Sequence, residues 1–171
     1  MNFDSARIIH ELERNKDVFK NLLSGIPSQE YLWKINKEKW CLLEIVCHLL
    51  DEEREDFRKR LRHILENMDK DFDPIDPVGW VNKRNYLDKD YDKELELFFN
   101  ERIQSVSWLK DLKTPNWNNS YNHPTIGIMT SKLMLSNWLA HDYLHIRQII
   151  KVKFDYLKQQ TTESLAYAGE W

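Results

Sequence analysis

The placement of helix breakers constrains this chain most. It has only 4 Gly and 5 Pro in 171 residues, and they fall between long segments whose apolar residues recur every third or fourth position. That pattern predicts helices with short punctuation and no strand alternation. The first segment runs over about Asp4–Leu23, with Ala6, Ile9, Leu12, Phe19 and Leu22/Leu23 on one stripe. Asp4 is its N-cap, and Ser24-Gly25 with Pro27 is its stop. Ser28 is placed to cap a short helix over SQEYLWK. A second long helix, Cys41–Leu65, begins apolar nearly all round (CLLEIVCHLL) and ends charged (DEEREDFRKRLRHIL), where Phe57, Leu61 and Ile64 keep one buried stripe. A third covers about Tyr91–Leu112, with Leu95, Phe98/Phe99, Arg102, Val106 and Leu109 on one side, and a fourth covers about Thr125–Lys153. The stretches between them, Asn67–Asp90 and TPNWNNSYNHPTIG, show no clear period. A connection as long as the first is often functional inside a compact domain.

Four long helices joined by two long crossings point to an all-α four-helix bundle with long crossover loops, formed as one domain over 1–171. Hydrophobic residues make up 42% and charged residues 31%, which fits a globular chain. A net charge of −3 gives no field that would draw nucleic acid or an anionic membrane. The start lacks the pattern of a signal peptide, and no apolar window spans a bilayer. Cys41 and Cys47 share one helix, which is no disulfide framework, so the expected location is cytoplasmic. The motifs of serine hydrolases and of Walker and Rossmann nucleotide sites are missing.

Helical geometry makes one short stretch stand out, AHDYLHIRQ. His141 and His145 lie four residues apart, which is a full turn plus about 40°, so both imidazoles project from one face. Met134 and Trp138 before them and Ile149 after them put that face inside the bundle. Interior imidazoles without partners are costly, and one divalent cation bound to both relieves that cost. His48, where the second helix turns from apolar to charged, is the candidate third ligand. Three neutral imidazoles leave coordination positions open, which is the pattern of a catalytic metal site. Each histidine taken singly also reads as an ordinary core residue. A protease reading of HDYLH as H-E-x-x-H is weak, because Asp142 replaces the glutamate base and no histidine follows.

Three segments, KWCLLEIVCHLLDEE, DPIDPVGWV and NHPTIGIMT…HDYLHIRQI, together resemble the DinB-like superfamily of YfiT-like metal-dependent hydrolases, over nearly the whole length. The resemblance implies a four-helix bundle with three metal-binding histidines, which map onto His48, His141 and His145. It implies a divalent ion (zinc, nickel, iron or manganese, with zinc or nickel favoured), frequent homodimers and, in some branches, transfer of low-molecular-weight thiols to electrophiles. Cys41 stands where many relatives carry a serine.

Glu44, Asp51, Glu52 and Asp142 are candidates to orient imidazole N–H groups or to act as bases, against an ordinary role as helix-surface charge. The catalytic candidates are Glu52, Asp142 and Arg147, with Arg147 and Gln148 in reach of a polar substrate group. Trp80, Trp117, Tyr86, Arg84 and His123 are candidates for the mouth of the site; Trp33, Trp40 and Trp138 are assigned to the core. The run FRKRLRH reads as a solvated face neutralised by Glu55–Lys59 and Asp56–Arg60. The function expected is metal-dependent catalysis on a small molecule, either hydrolysis or thiol transfer. The alternative is a non-catalytic metal- or ligand-binding bundle involved in stress response.

Overall fold

The computed structural model describes residues 3–66 and 71–169. Helix α1 (Ser5–Leu23) is capped by Asp4, whose carboxylate accepts the Arg7 N–H at 3.0 Å. Its buried stripe is Ile9, Leu12, Asn15, Phe19 and Leu23, one polar residue among four apolar ones. The chain then turns at Gly25, whose φ of +70° is open to glycine at little cost. The short helix α2 (Ser28–Tyr31) begins one residue earlier than expected. Pro27 occupies the cap position, and Ser28 is the first helical residue.

Helix α3 (Leu42–Asp51) opens with a reciprocal cap in which the Cys41 N–H donates to Glu44 at 2.8 Å, and every residue of α3 is buried. The expected continuous helix to Leu65 is interrupted by a π-helical segment, Glu52–Phe57, before α4 (Arg58–Leu65) resumes the α form. The segment begins where three consecutive acids, Asp51, Glu52 and Glu53, are all buried, each with different neighbours.

The long irregular stretch is less irregular than its composition implies. Asp76 accepts the Gly79 N–H at 3.0 Å and Pro77 supplies the first residue of α5 (Pro77–Lys83), followed by a 3₁₀ turn at Tyr86–Asp88. Residues 67–70, part of the same expectation, lie outside the described residues. Helix α6 (Tyr91–Asp111) is capped by Asp90. The second loop holds a hairpin that corrects the expectation of no strands. Strand β1 (Ser120–His123) pairs antiparallel with β2 (Gly127–Thr130), and His123 Nδ1 accepts the N–H groups of Thr125 and Ile126 at the turn. Helix α7 therefore starts later and ends later than expected, at Ser131–Gln160, with Thr130 as its cap. Strands of four residues are too short to show an alternation, and their pairing is a tertiary fact.

The architecture is the expected four-helix bundle, with α1 against α6 and α7, α3 against α6, and α4 against α7. None of the described helices is long and apolar enough to cross a membrane. Two apolar clusters fill the interior, one with Phe19, Leu49, Phe98 and Ile149, the other with Leu12, Phe57, Val106 and Trp138. Between them, each helix carries buried polar residues: Asn15, Glu52 and Glu53, Arg102, and Asp142 and His145. This polar layer positions the site.

Candidate metal centre

Three histidines meet at this layer. His48 comes from the end of α3, and His141 and His145 come from adjacent turns of α7. His141 Nε2 lies 3.3 Å from His48 Nε2 and 3.0 Å from His145 Nε2. A ring nitrogen carries one proton or one lone pair, so His141 Nε2 can hydrogen-bond to only one of its two neighbours. The Nδ1 atoms of His48 and His145 are buried without a hydrogen-bond partner. Phe57 and Trp40 pack on His141 and His48, with ring centroids at 4.9 and 4.8 Å. Burial keeps all three imidazoles neutral: it pushes His48 down to about 3, His141 far below its ordinary range, and His145 down despite Gln148 and Asp142.

Three converging neutral Nε2 atoms fit a cation. With metal–nitrogen bonds of about 2.0–2.1 Å, ligand nitrogens around one ion are separated by roughly 2.9–3.4 Å. The two separations here fall within that range. The three nitrogens form a group that could hold a metal ion, and His48, His141 and His145 are the residues expected from the sequence.

Behind the histidines sits an ion-pair hub that the sequence reading placed only as a stripe position. The Arg102 guanidinium donates through Nε and one terminal nitrogen to both Glu53 oxygens at 2.9 and 2.8 Å. It donates to both Asp142 oxygens at 2.6 and 2.7 Å and to the Leu12 carbonyl at 3.1 Å. All five of its N–H groups are used. Asn15 and the Trp138 indole complete the two carboxylates at 3.1 and 3.0 Å. The legible signals for this hub were Arg102 and Asn15, each polar on an otherwise apolar stripe.

The four acids considered as helix-surface charge are all buried. Asp142 is tied to Arg102, Glu44 accepts from Lys34 at 2.7 Å, and Asp51 accepts from Tyr86 at 2.7 Å and pairs with Arg54 and Arg84. Glu52 is the exception. Burial and the neighbouring Asp56 carboxyl raise it to about 8, and its Oε1 has no hydrogen-bond partner. The FRKRLRH run is not a solvated face either: Arg60 and His63 are buried, Arg60 pairs with Asp56 at 3.2 Å, and Lys59 pairs with Asp73 while Glu55 turns to Arg84.

A cavity of about 730 Å³ adjoins the histidines, with His145 in its wall. Arg147 and Gln148 line it, as do Trp33 and Trp40, which are half-buried there rather than core residues. The residues expected at the mouth lie elsewhere. Trp80 and Tyr86 belong to one apolar cluster, with Arg84 stacked on Trp80 at 4.1 Å, and Trp117 packs on the other. His123 sits in the hairpin turn. The apolar character of these aromatics drew them into the core, whereas Trp33 and Trp40 flank a surface loop.

Among solved structures the chain is similar to YfiT from Bacillus subtilis, described as "a probable metal-dependent hydrolase with an unusual four-helix bundle topology". The match has a TM-score of 0.78 and 19% sequence identity, and it covers 89% of this chain and 87% of YfiT. No curated protein matches the sequence. The family profile of the DinB superfamily matches residues 11–149, most of the bundle, and the chain belongs to that superfamily.

Proposed function

We propose that the protein is a metal-dependent enzyme acting on a small molecule, with His48, His141 and His145 as the metal ligands. The observation that carries this reading is that three neutral imidazoles present ligand nitrogens within 4.8 Å of one another beside a cavity, with His141 Nε2 3.3 and 3.0 Å from those of His48 and His145. YfiT's description supports it by analogy. A divalent ion there, zinc or nickel by preference, supplies Lewis acidity and leaves positions for a substrate atom. The cavity beside His145 favours catalysis over a coordinatively closed structural site.

The chain's own residues divide the remaining tasks. Asp142, held by Arg102, fixes the α7 turn that carries both histidines and is a positioning residue. Glu52, one turn after His48, is the candidate acid–base group by its position on the helix, with burial and the neighbouring Asp56 carboxyl raising it to about 8. Arg147 faces the cavity and serves binding. Burial raises the Cys41 thiol to about 11 and the Cys47 thiol further, so a thiol-transfer reaction would draw its thiolate from a second substrate. Hydrolysis and thiol transfer remain the two reaction classes.

Metal analysis of untagged protein tests the site. The wild type should carry about one divalent ion per chain, and His141→Ala/His145→Ala should carry almost none. Equal metal content in both would refute the assignment. A screen of esters and of thiol–electrophile pairs should then find turnover in the wild type that the double variant lacks.

A further inference from the structure

The cavity beside His145 has a charge and shape that narrow what it takes. Its α7 wall is formed by Leu144, His145, Arg147, Gln148, Lys151, Val152 and Asp155, one face of the helix. At 1.5 Å per residue, that wall runs about 15 Å from His145 to Asp155. Trp33, Ile35 and Trp40 close the opposite side with apolar surface. Trp33 is fixed by its indole N–H, which donates to Gln159, and by an edge contact with Tyr156. Trp40 lies against the His48 ring, so the aromatic wall reaches the histidine cluster.

Three cations, Lys39, Arg147 and Lys151, line this cavity against one carboxylate, Asp155. Asp155 is paired with Lys151 on the next turn. Among the described residues, Lys39 and Arg147, both exposed at the cavity, have no ion-pair partner. The whole chain carries a net charge of −3, so this local excess of positive charge is not a consequence of a basic protein. Arg147 and His145 both line the cavity, and as an i,i+2 pair they bound opposite edges of its α7 wall, so a ligand held at Arg147 lies across the cavity floor from the reacting end.

We infer that the cavity binds a molecule with a flat apolar body and an anionic group, the body against Trp33 and Trp40 and the anion on Arg147 and Lys39. The inference rests on the tri-histidine site being the reacting end, and it names the substrate class of that site. Arginine is suited to this role, because its planar fork grips a carboxylate, sulfonate or phosphate through two N–H groups. Asn36 and Gln148, the latter beside the His145 ring, are neutral polar groups on the cavity wall available to such a ligand.

Two probes of matched shape test this by calorimetric titration: naphthalene-2-sulfonate, which ligates metals weakly, and the neutral methyl 2-naphthyl sulfone. The wild type should bind the sulfonate at least about tenfold more tightly than the sulfone, the factor expected from one partly buried charge-assisted contact. Lys39→Gln/Arg147→Gln should reduce that preference to about twofold or less. Lys158→Gln, which removes an exposed charge on α7 outside the cavity, should leave it intact. Equal affinity of the wild type for both probes would overturn the inference, and so would an equal loss in the Lys158 variant. The metal-free His141→Ala/His145→Ala variant should keep the sulfonate preference. Failure of the metal assignment would appear in metal content alone, and failure of this inference in the probe titrations.

Discussion

Two clusters of buried polar residues occupy the same layer of the bundle and follow opposite rules. Around Arg102, every N–H has an acceptor and both carboxylates are filled by further donors. Around His141, ring nitrogens face one another at hydrogen-bond distance without enough protons to satisfy them, and two Nδ1 atoms are orphaned. A saturated cluster holds the fold and has no capacity for a ligand. An unsaturated one, set beside a cavity, keeps capacity for a partner that completes it.

The largest expected effect comes from breaking the saturated cluster. Arg102→Met leaves Glu53 and Asp142 as uncompensated buried carboxylates and should lower stability by about 3–5 kcal/mol in urea unfolding. In chelator, His141→Ala removes a group that was never fully paired and should cost no more than about 1 kcal/mol. Similar losses in the two variants would erase the distinction between the clusters.

Metal addition should narrow the gap between the two clusters. Zinc at about 100 times its Kd should stabilise the wild type by about 2.7 kcal/mol and leave His141→Ala/His145→Ala unmoved, as read by thermal unfolding with a chelator control. A zinc response that survives in the double variant would place the binding elsewhere.

The two clusters should also differ in acid. The Arg102 guanidinium, beside Asp142 and Glu53, keeps its charge across the working range, whereas burial lowers His48 from 6.5 to about 3. Depressed histidines take up protons on unfolding, so the metal-free protein loses their contribution as pH falls below 6.5 and keeps it above. Glu52 has the opposite sign. Raised from 4.5 to about 8, it contributes fully below 4.5 and loses that contribution as pH rises towards 8. In chelator, the fall in urea midpoint from pH 7 to pH 5 should shrink by about half in His141→Ala/His145→Ala. Glu52→Gln should flatten the decline from pH 6.5 to 8. An unchanged acid limb in the histidine variant would mean that other groups control it.

Long-range and local information divide cleanly in what the sequence made legible. The four long helices, the cap at Asp4 and the shared face of His141 and His145 were readable, because they depend on spacing within one segment. His48 was singled out by its place where the second helix turns from apolar to charged and again by family resemblance, but its meeting with that pair is a tertiary contact that spacing within one helix does not carry. The β-hairpin was missed because its strands pair only in three dimensions. The short helix at Pro77 was missed because two prolines and a cluster of acids masked an ordinary aspartate cap. The Arg102 hub was half visible: the stripe position of Arg102 was read, but its partners come from three other helical segments. The exchange of roles among the tryptophans has the same origin, since burial depends on what packs opposite and not on residue type.

The smallest expected effect sharpens the comparison most. Lys110 on α6 pairs with Glu13 on α1 at 2.6 Å, the same length as the Arg102–Asp142 contact, and both contacts tie α6 to another helix of the bundle. The exposed pair has side chains at 50% and 44% of full exposure, against 1% and 0% for the buried one. Lys110→Ala should therefore cost less than about 0.5 kcal/mol, and that cost should fade in high salt. Contact length is matched between the two pairs, so the contrast in unfolding free energy comes from desolvation together with the larger number of partners that Arg102 leaves behind. Water solvates the partner that Lys110 leaves behind, but nothing solvates those that Arg102 leaves. If the lysine variant proved as damaging as Arg102→Met, the stability of the polar layer would owe nothing to burial, and the deficit at the histidines would lose its meaning as the mark of a site.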